Sequence, residues 1–329
     1  MDIKSIGQTT KSWAISRLTA FLNYFNALKR CYMKAIIKKA VTLVLLASVL
    51  ISSFGFFVGC GSGYQKHENI AYGQRMEEVM DVYIPNGASK RDMNGCILFI
   101  HGGSWSGGDK SEEWGRCKRF AKKGYVTASM NYSLFSNEAM GEYSVNLVLQ
   151  QIENAIFKLK KFCLEKGVKI QRCATSGYSA GAHLSMLYAY SRASECPLQL
   201  VFTANMAGPA KLDSQTWGET SYKIVRILSG QEVTQAMIDS GESDVLAKQY
   251  SPLTYVNEKT VPSIFAYGAK DKTVGIENGN ALKQRFEELN LKHEYILFPQ
   301  SGHGLAANPF KRIAYFNAVE KYCKKYFGY

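Results

Sequence analysis

Ala174-Thr-Ser-Gly-Tyr-Ser-Ala-Gly-Ala-His183 carries a Gly-x-Ser-x-Gly pentapeptide where an apolar, strand-like run (170–176) meets a helix-like one (180–191). A serine at such a join is forced into the open on a sharp turn, which makes Ser179 the candidate nucleophile. Gly177 and Gly181 flank it because strand and helix come so close there that a Cβ at either position would clash. The serine itself is expected in a strained backbone conformation. Alone, the pentapeptide fits a plain strand-to-helix turn equally well. Upstream, however, Cys96-Ile-Leu-Phe-Ile100 is a short buried-strand run that ends directly in His101-Gly-Gly-Ser-Trp105. Such a loop can offer backbone N–H groups to an oxyanion.

Outward from these two motifs, strand-like runs recur at 79–84, 125–131, 198–207, 263–267 and 294–298, closed in places by turn residues such as Pro85-Asn-Gly87. Helix-like segments at 112–123, 143–165, 180–191, 278–290 and 309–326 alternate with most of them. Alternation of this kind predicts an α/β fold, a largely parallel sheet with helices on both faces. The exception is 211–249, polar and carrying Trp217, with a helix-like patch at 222–228. Inserted after a strand, it should lie over the carboxyl ends of the sheet as a small cap at about 210–249.

A serine hydroxyl needs a base within hydrogen-bond reach and a third group to fix the base's tautomer. The chain has five histidines. His67 and His293 fall in polar surroundings and are expected to face solvent. His101 belongs to the Gly-Gly loop, and His183 points away from the tip of the turn. His303, in Gln300-Ser-Gly-His-Gly304 beyond the last strand, is the candidate base. Asp271, just after the strand 263–267, is the candidate orienting carboxylate, preferred over Asp239 and Asp244 of the insertion. The order Ser179, Asp271, His303 suits this assignment. Ala180 N–H and that of Gly102 or Gly103 are the expected oxyanion donors. Trp105, Tyr178 and Trp217 are candidates for the pocket wall, each equally at home as a packing aromatic. Asp109 is expected to hold its loop.

His101-Gly-Gly-Ser-Trp105 with Gly107-Gly-Asp-Lys110, then Asn131-Tyr132, Gly177-Tyr-Ser-Ala-Gly-Ala-His183, Asp271 and Ser301-Gly-His-Gly304 resemble, in order over about residues 76–327, the esterase and lipase branch of the α/β-hydrolase superfamily. The chain is most similar to carboxylesterases that include hormone-sensitive-lipase-like enzymes and bacterial acetyl or feruloyl esterases. The resemblance implies the α/β-hydrolase fold and a metal-independent ester hydrolase that works without a cofactor through an acyl-enzyme. Its substrate would be a small or carbohydrate-linked ester. Arylformamidases share the loop and Ser-Ala-Gly-Ala-His but differ at Gly177-Tyr-Ser. An arylformamidase-like hydrolase, an amidase or peptidase using the same groups, and a catalytically silent surface binding protein are the alternatives.

Composition is that of an ordinary globular chain: 329 residues, 46% hydrophobic and 20% charged. The net charge of +13 is concentrated at the start, where residues 1–59 hold eight basic residues and one acidic. The basic pI therefore reflects targeting more than any nucleic-acid partner. Lys34, Lys38 and Lys39 precede an uncharged apolar stretch, 40–59, that ends in Phe57-Val-Gly-Cys60. This has the form of a signal peptide, with Met33 as its natural start. The end resembles a bacterial lipoprotein signal, which implies lipidation at Cys60; an uncleaved membrane anchor is the alternative. Either way the domain from about 76 onward, behind a tether at 60–75, is expected outside the cytoplasm. Six cysteines follow Cys60 without ligand-like spacing, which argues against zinc.

Overall fold

The computed structural model describes residues 63–90 and 94–328. The apolar stretch 40–59 and Cys60 lie outside the described residues. The first elements are β1 (Tyr64–Ala71), β2 (Val79–Pro85), β3 (Asn94–Ile100), helix α1 (Trp114–Ala121) and β4 (Val126–Met130). Helix α2 (Val145–Glu165), β5 (Ile170–Tyr178), α3 (Ala180–Ser191) and β6 (Gln199–Met206) follow. Four short helices come next: α4 (Ser214–Trp217), α5 (Thr220–Ser229), α6 (Gln235–Asp239) and α7 (Glu242–Tyr250). The chain continues with β7 (Ser263–Gly268), α8 (Glu277–Glu288), β8 (His293–Phe298) and α9 (Pro309–Phe327).

Among the described residues the strands form one eight-stranded sheet in the order β1-β2-β4-β3-β5-β6-β7-β8. β1 and β2 run antiparallel to their neighbours, and the pairs from β4 to β8 are parallel. This is the α/β-hydrolase fold. Strands covered on both faces read as continuous apolar runs, and β4 and β7 are buried at every position. On one face α1 and α9 pack Phe120, Tyr315 and Phe327 against Phe99 and Phe202. On the other, α2, α3 and α8 bring Ile152, Leu184 and Phe286 against Leu98 and Phe265.

Helix α2 shows why these segments fold locally. Val148, Ile152, Ala155, Ile156 and Leu159 form one buried stripe at helical spacing. Ser144 starts the helix by accepting a hydrogen bond from the Leu147 N–H at 3.2 Å, a cap worth about 1 kcal/mol.

Three expectations are corrected. The segment expected as a tether contains β1, whose Tyr64, Lys66 and His67 pair with Pro85, Tyr83 and Val82 of β2. The segment 112–123 is a single turn of 3-10 helix, Lys110–Glu113, followed by α1. His67 and His293 do not face solvent: both are half-buried, the first edge-on to Phe162 at 5.1 Å and the second stacked on Phe265 at 5.7 Å.

Between β6 and β7 the insertion holds four helices, more than the single patch expected at 222–228, with α5 packed on α7. Asp244 ties its start down by accepting from the Ser214 N–H and hydroxyl at 2.9 and 2.8 Å. The insertion rests on the segment after β4, where Gly141 N–H donates to Gly230 O at 2.9 Å.

Candidate active site

β5 ends at Tyr178 and α3 begins at Ala180, so Ser179 alone makes the turn, with φ 54° and ψ −121°. Positive φ at a non-glycine residue is strained and persists only where the surroundings enforce it. The Ser179 N–H donates to Met206 O at 3.0 Å, and the first turn of α3 is pressed against the end of β3. A Cβ on Gly181 would lie 2.0 Å from the Ile100 carbonyl oxygen, and one on Gly177 would lie 2.2 Å from the Gly181 carbonyl carbon. Both glycines are therefore required by backbone contact.

His303, in the loop between β8 and α9, places Nε2 2.9 Å from Ser179 Oγ and Nδ1 2.8 Å from Asp271 Oδ2. Asp271 sits just past the end of β7 with its side chain fully buried. Its other oxygen accepts from the N–H groups of Thr273 and Val274 at 2.8 and 2.9 Å. Burial would push this carboxyl up, but the hydrogen bonds from His303 and the two N–H groups outweigh it and hold it below the ordinary range. An ionised Asp271 accepts a hydrogen bond from Nδ1–H, which leaves Nε2 as the acceptor for the Ser179 hydroxyl. The rival carboxylates are engaged elsewhere, Asp239 with Gln235 and Asp244 with Ser214.

The loop after β3 doubles back on itself. Gly103, at φ +111°, accepts at its carbonyl from the N–H groups of Ser106 and Gly107, and a Cβ there would lie 2.2 Å from Gly107 O. Among the described residues the N–H groups of Gly102 and Gly103 have no acceptor. A Cβ on Gly102 would touch Tyr178 O at 3.0 Å, which places this loop against the nucleophile turn. Ala180 is the first residue of α3, and its N–H has no acceptor within the helix. Burial lowers the His101 pKa, and its Nδ1–H donates to Gly102 O at 2.7 Å while its ring stacks on Tyr132 at 4.3 Å. His101 thus stiffens the loop.

Asp109 holds the loop, as expected. It accepts from Ser111 N–H at 2.8 Å and from Asn131 Nδ2 at 2.9 Å. Burial opposes its ionisation, but these hydrogen bonds prevail and hold the carboxyl at about 2.

Of the three aromatics, Tyr178 lines a cleft beside the site, its ring 5.1 Å from that of His303 and its hydroxyl donating to His303 O at 2.9 Å. Trp105 is buried behind the loop, where its indole N–H donates to His183 Nδ1 at 3.2 Å. Trp217 packs against the core and donates to Lys211 O at 2.6 Å, among none of the cleft-lining groups. The part played by His183 was missed from sequence. It is fully buried, lies edge-on to Trp105 at 5.1 Å and donates from Nε2 to Tyr250 O at 2.8 Å, joining the Gly-Gly loop, α3 and the end of α7. A histidine four residues past the nucleophile was the available signal, but its partners come from distant segments. Among the described residues no cluster of His, Cys, Asp or Glu is arranged to hold a metal ion.

Chemically, the arrangement can take a proton from Ser179 and return it to a leaving group, while the Gly102 loop and the start of α3 both lie beside the nucleophile. Comparison with known proteins bears on the fold and family. A truncated carbohydrate esterase from gut microbiota superposes with a TM-score of 0.65 at 17% identity, covering 82% of this chain and 99% of that one. A propionate-bound thermophilic esterase from Thermogutta terrifontis gives 0.62 at 19% identity, covering 80% and 94%. Dipeptidyl aminopeptidase BIII of Pseudoxanthomonas mexicana is 24% identical over 233 residues, 68% of this chain but 32% of that longer protein. The BD-FAE family model matches residues 80–286, a range that holds Ser179 and Asp271 and stops short of His303. On that match over more than half of its length, the chain belongs to the BD-FAE family of α/β-hydrolase-fold proteins.

Proposed function

We propose that this protein is a serine ester hydrolase that works through an acyl-enzyme on small or carbohydrate-linked esters. The observation that carries the proposal is the unbroken run of hydrogen bonds from Ser179 Oγ through His303 to Asp271, at 2.9 and 2.8 Å. His303 Nε2 takes the Ser179 proton as Oγ attacks the ester carbonyl. The oxyanion that forms is held by the N–H groups of Gly103, or Gly102, and Ala180, each such donor being worth about 2.7–4 kcal/mol in other enzymes. His303 then gives the proton to the departing alcohol, and water repeats the cycle on the acyl group carried by Ser179. Asp271 fixes the tautomer and stabilises the imidazolium without itself taking the proton.

The esterases among the structural neighbours support ester over amide substrates; the aminopeptidase relative makes amide cleavage the outcome to compare. Hydrolysis of p-nitrophenyl acetate, butyrate and octanoate, beside the matching anilides, tests both. Ester turnover lost in Ser179→Ala and in His303→Ala is expected. Folded protein inactive on esters overturns the proposal, whether it cleaves anilides or nothing.

The same proposal places the enzyme outside the cytoplasm, tethered by lipid on Cys60. It is supported by the basic residues, apolar stretch and Val-Gly-Cys60 ending of the leader. Labelled fatty acid incorporated by the full chain and lost in Cys60→Ala is expected; equal labelling of both forms contradicts it.

A further inference from the structure

A cleft of about 760 Å³ opens beside the site between α1 and α9. Tyr178 and Gly304, the chain neighbours of Ser179 and His303, are among its lining residues. A departing alcohol must lie on the His303 side of the scissile bond, because His303 Nε2 delivers its proton. The cleft next to the His303 loop is therefore placed to receive the alcohol portion of the substrate.

Its chemistry is specific. Trp114 and Ile313 line it while remaining 56% and 50% exposed, and Phe316 lies beneath. Large apolar side chains left open in a concave site mark a binding surface for a ring or other flat apolar group. Arg119 and Arg312 line the same cleft. Arg119 lies over the Phe316 ring at 4.5 Å, and among the described residues neither guanidinium has an acidic partner. Arg116 also lines the cleft but is paired with Glu113, and Glu112, the one carboxylate among the lining residues, accepts from the Asp109 N–H at 3.3 Å, which does not neutralise its charge. The cleft thus combines a hydrophobic wall with two cations that form no ion pair among the described residues and outnumber the single unpaired carboxylate, Glu112.

We propose that this cleft selects esters whose alcohol portion carries a ring and an anionic group, such as a carboxylate, with Arg119 and Arg312 as the specificity-determining residues. The inference rests on the ester-hydrolase proposal. It adds the charge of the substrate, which nothing in the catalytic groups dictates. Both cations are exposed to solvent, so their effect is moderate and is screened by salt.

The test uses the full-length protein and two acetyl esters with the same phenolic leaving group, those of 3-(4-hydroxyphenyl)propanoate and of its neutral N-methylamide. At low ionic strength kcat/KM for the anionic ester is expected to exceed that for the amide by about tenfold. The ratio should fall toward one in the Arg119→Gln/Arg312→Gln double variant and in about 0.5 M salt. Lys283→Gln/Lys292→Gln, a change of equal charge at residues that do not line the cleft, should leave it unaltered. A wild-type ratio near one, or a ratio unmoved in the double variant, refutes the inference while Ser179-dependent hydrolysis of the neutral ester leaves the ester-hydrolase proposal standing. No hydrolysis of either ester by folded protein ends both.

Discussion

His183 is neutral and fully enclosed, and acid should unfold the protein partly through it. Its Nδ1 accepts the Trp105 indole N–H and its Nε2–H donates to Tyr250 O, so a second ring proton would meet a donor instead of an acceptor. Burial lowers its pKa from 6.5 to about 4, with the Tyr250 carbonyl offsetting only part of the effect. In the unfolded chain the ring takes up its proton around pH 6.5; in the folded protein it resists until about pH 4. The stability this contributes is thus present above about pH 6.5 and is lost as the pH falls through about 4. The depression from 6.5 to about 4 corresponds to about 3 kcal/mol. Urea unfolding of wild type and His183→Gln at pH 7, 5.5 and 4 isolates this contribution, because other acid-titrating groups are common to both. Between pH 7 and 4 the wild type should lose about 3 kcal/mol more than the variant, with about 1.4 kcal/mol of the difference already present at pH 5.5. Parallel stability profiles for the two proteins would refute the argument.

Three further outcomes follow from the geometry. Gly181→Ala puts a Cβ 2.0 Å from the Ile100 oxygen, where no flexible side chain can yield; it should cost about 3 kcal/mol or more in denaturant unfolding and lower ester turnover by displacing the Ala180 N–H. Asp271→Asn keeps the shape of the side chain but upsets the His303 tautomer, so kcat should fall about ten-thousand-fold while the circular dichroism spectrum is unchanged; a loss below about tenfold would count against the role of Asp271. Ser144→Ala removes the α2 cap and should lower unfolding free energy by about 1 kcal/mol without altering KM, as urea titration and initial rates would register.

The alternation of strands and helices was legible because parallel strands buried on both faces, such as β4 and β7, leave uninterrupted apolar runs. β1 was not. It is an edge strand of mostly polar residues, and a register shift between His67 and Ile70 breaks the period-two pattern by which a strand is recognised. Its half-buried positions, Tyr64, His67 and Ile70, are three apart. The start of α1 was misplaced for a related reason: Asp109 caps a separate 3-10 turn, and the helix begins only at Trp114.

Ser179, His303 and Asp271 could be picked out because each follows a strand whose carboxyl end reaches the same edge of the sheet, which the coarse element order was enough to reveal. The groups that hold the site rigid were less accessible. Trp105, His183 and Tyr250 come from three distant segments, and only tertiary packing brings them together. For the same reason sequence leaves Trp105 open between a pocket wall and a packing aromatic, and the structure buries it behind the loop. The cleft between α1 and α9 likewise depends on two helices far apart in the chain.

The central claim is that Ser179 is a nucleophile activated by His303. Treatment with a fluorophosphonate, followed by peptide mass spectrometry, measures this most directly. A single covalent adduct on the peptide bearing Ser179 is expected, formed rapidly in wild type, greatly slowed in His303→Ala and absent from Ser179→Ala. Folded wild-type protein that remains unlabelled, or an adduct that persists in Ser179→Ala, would contradict it.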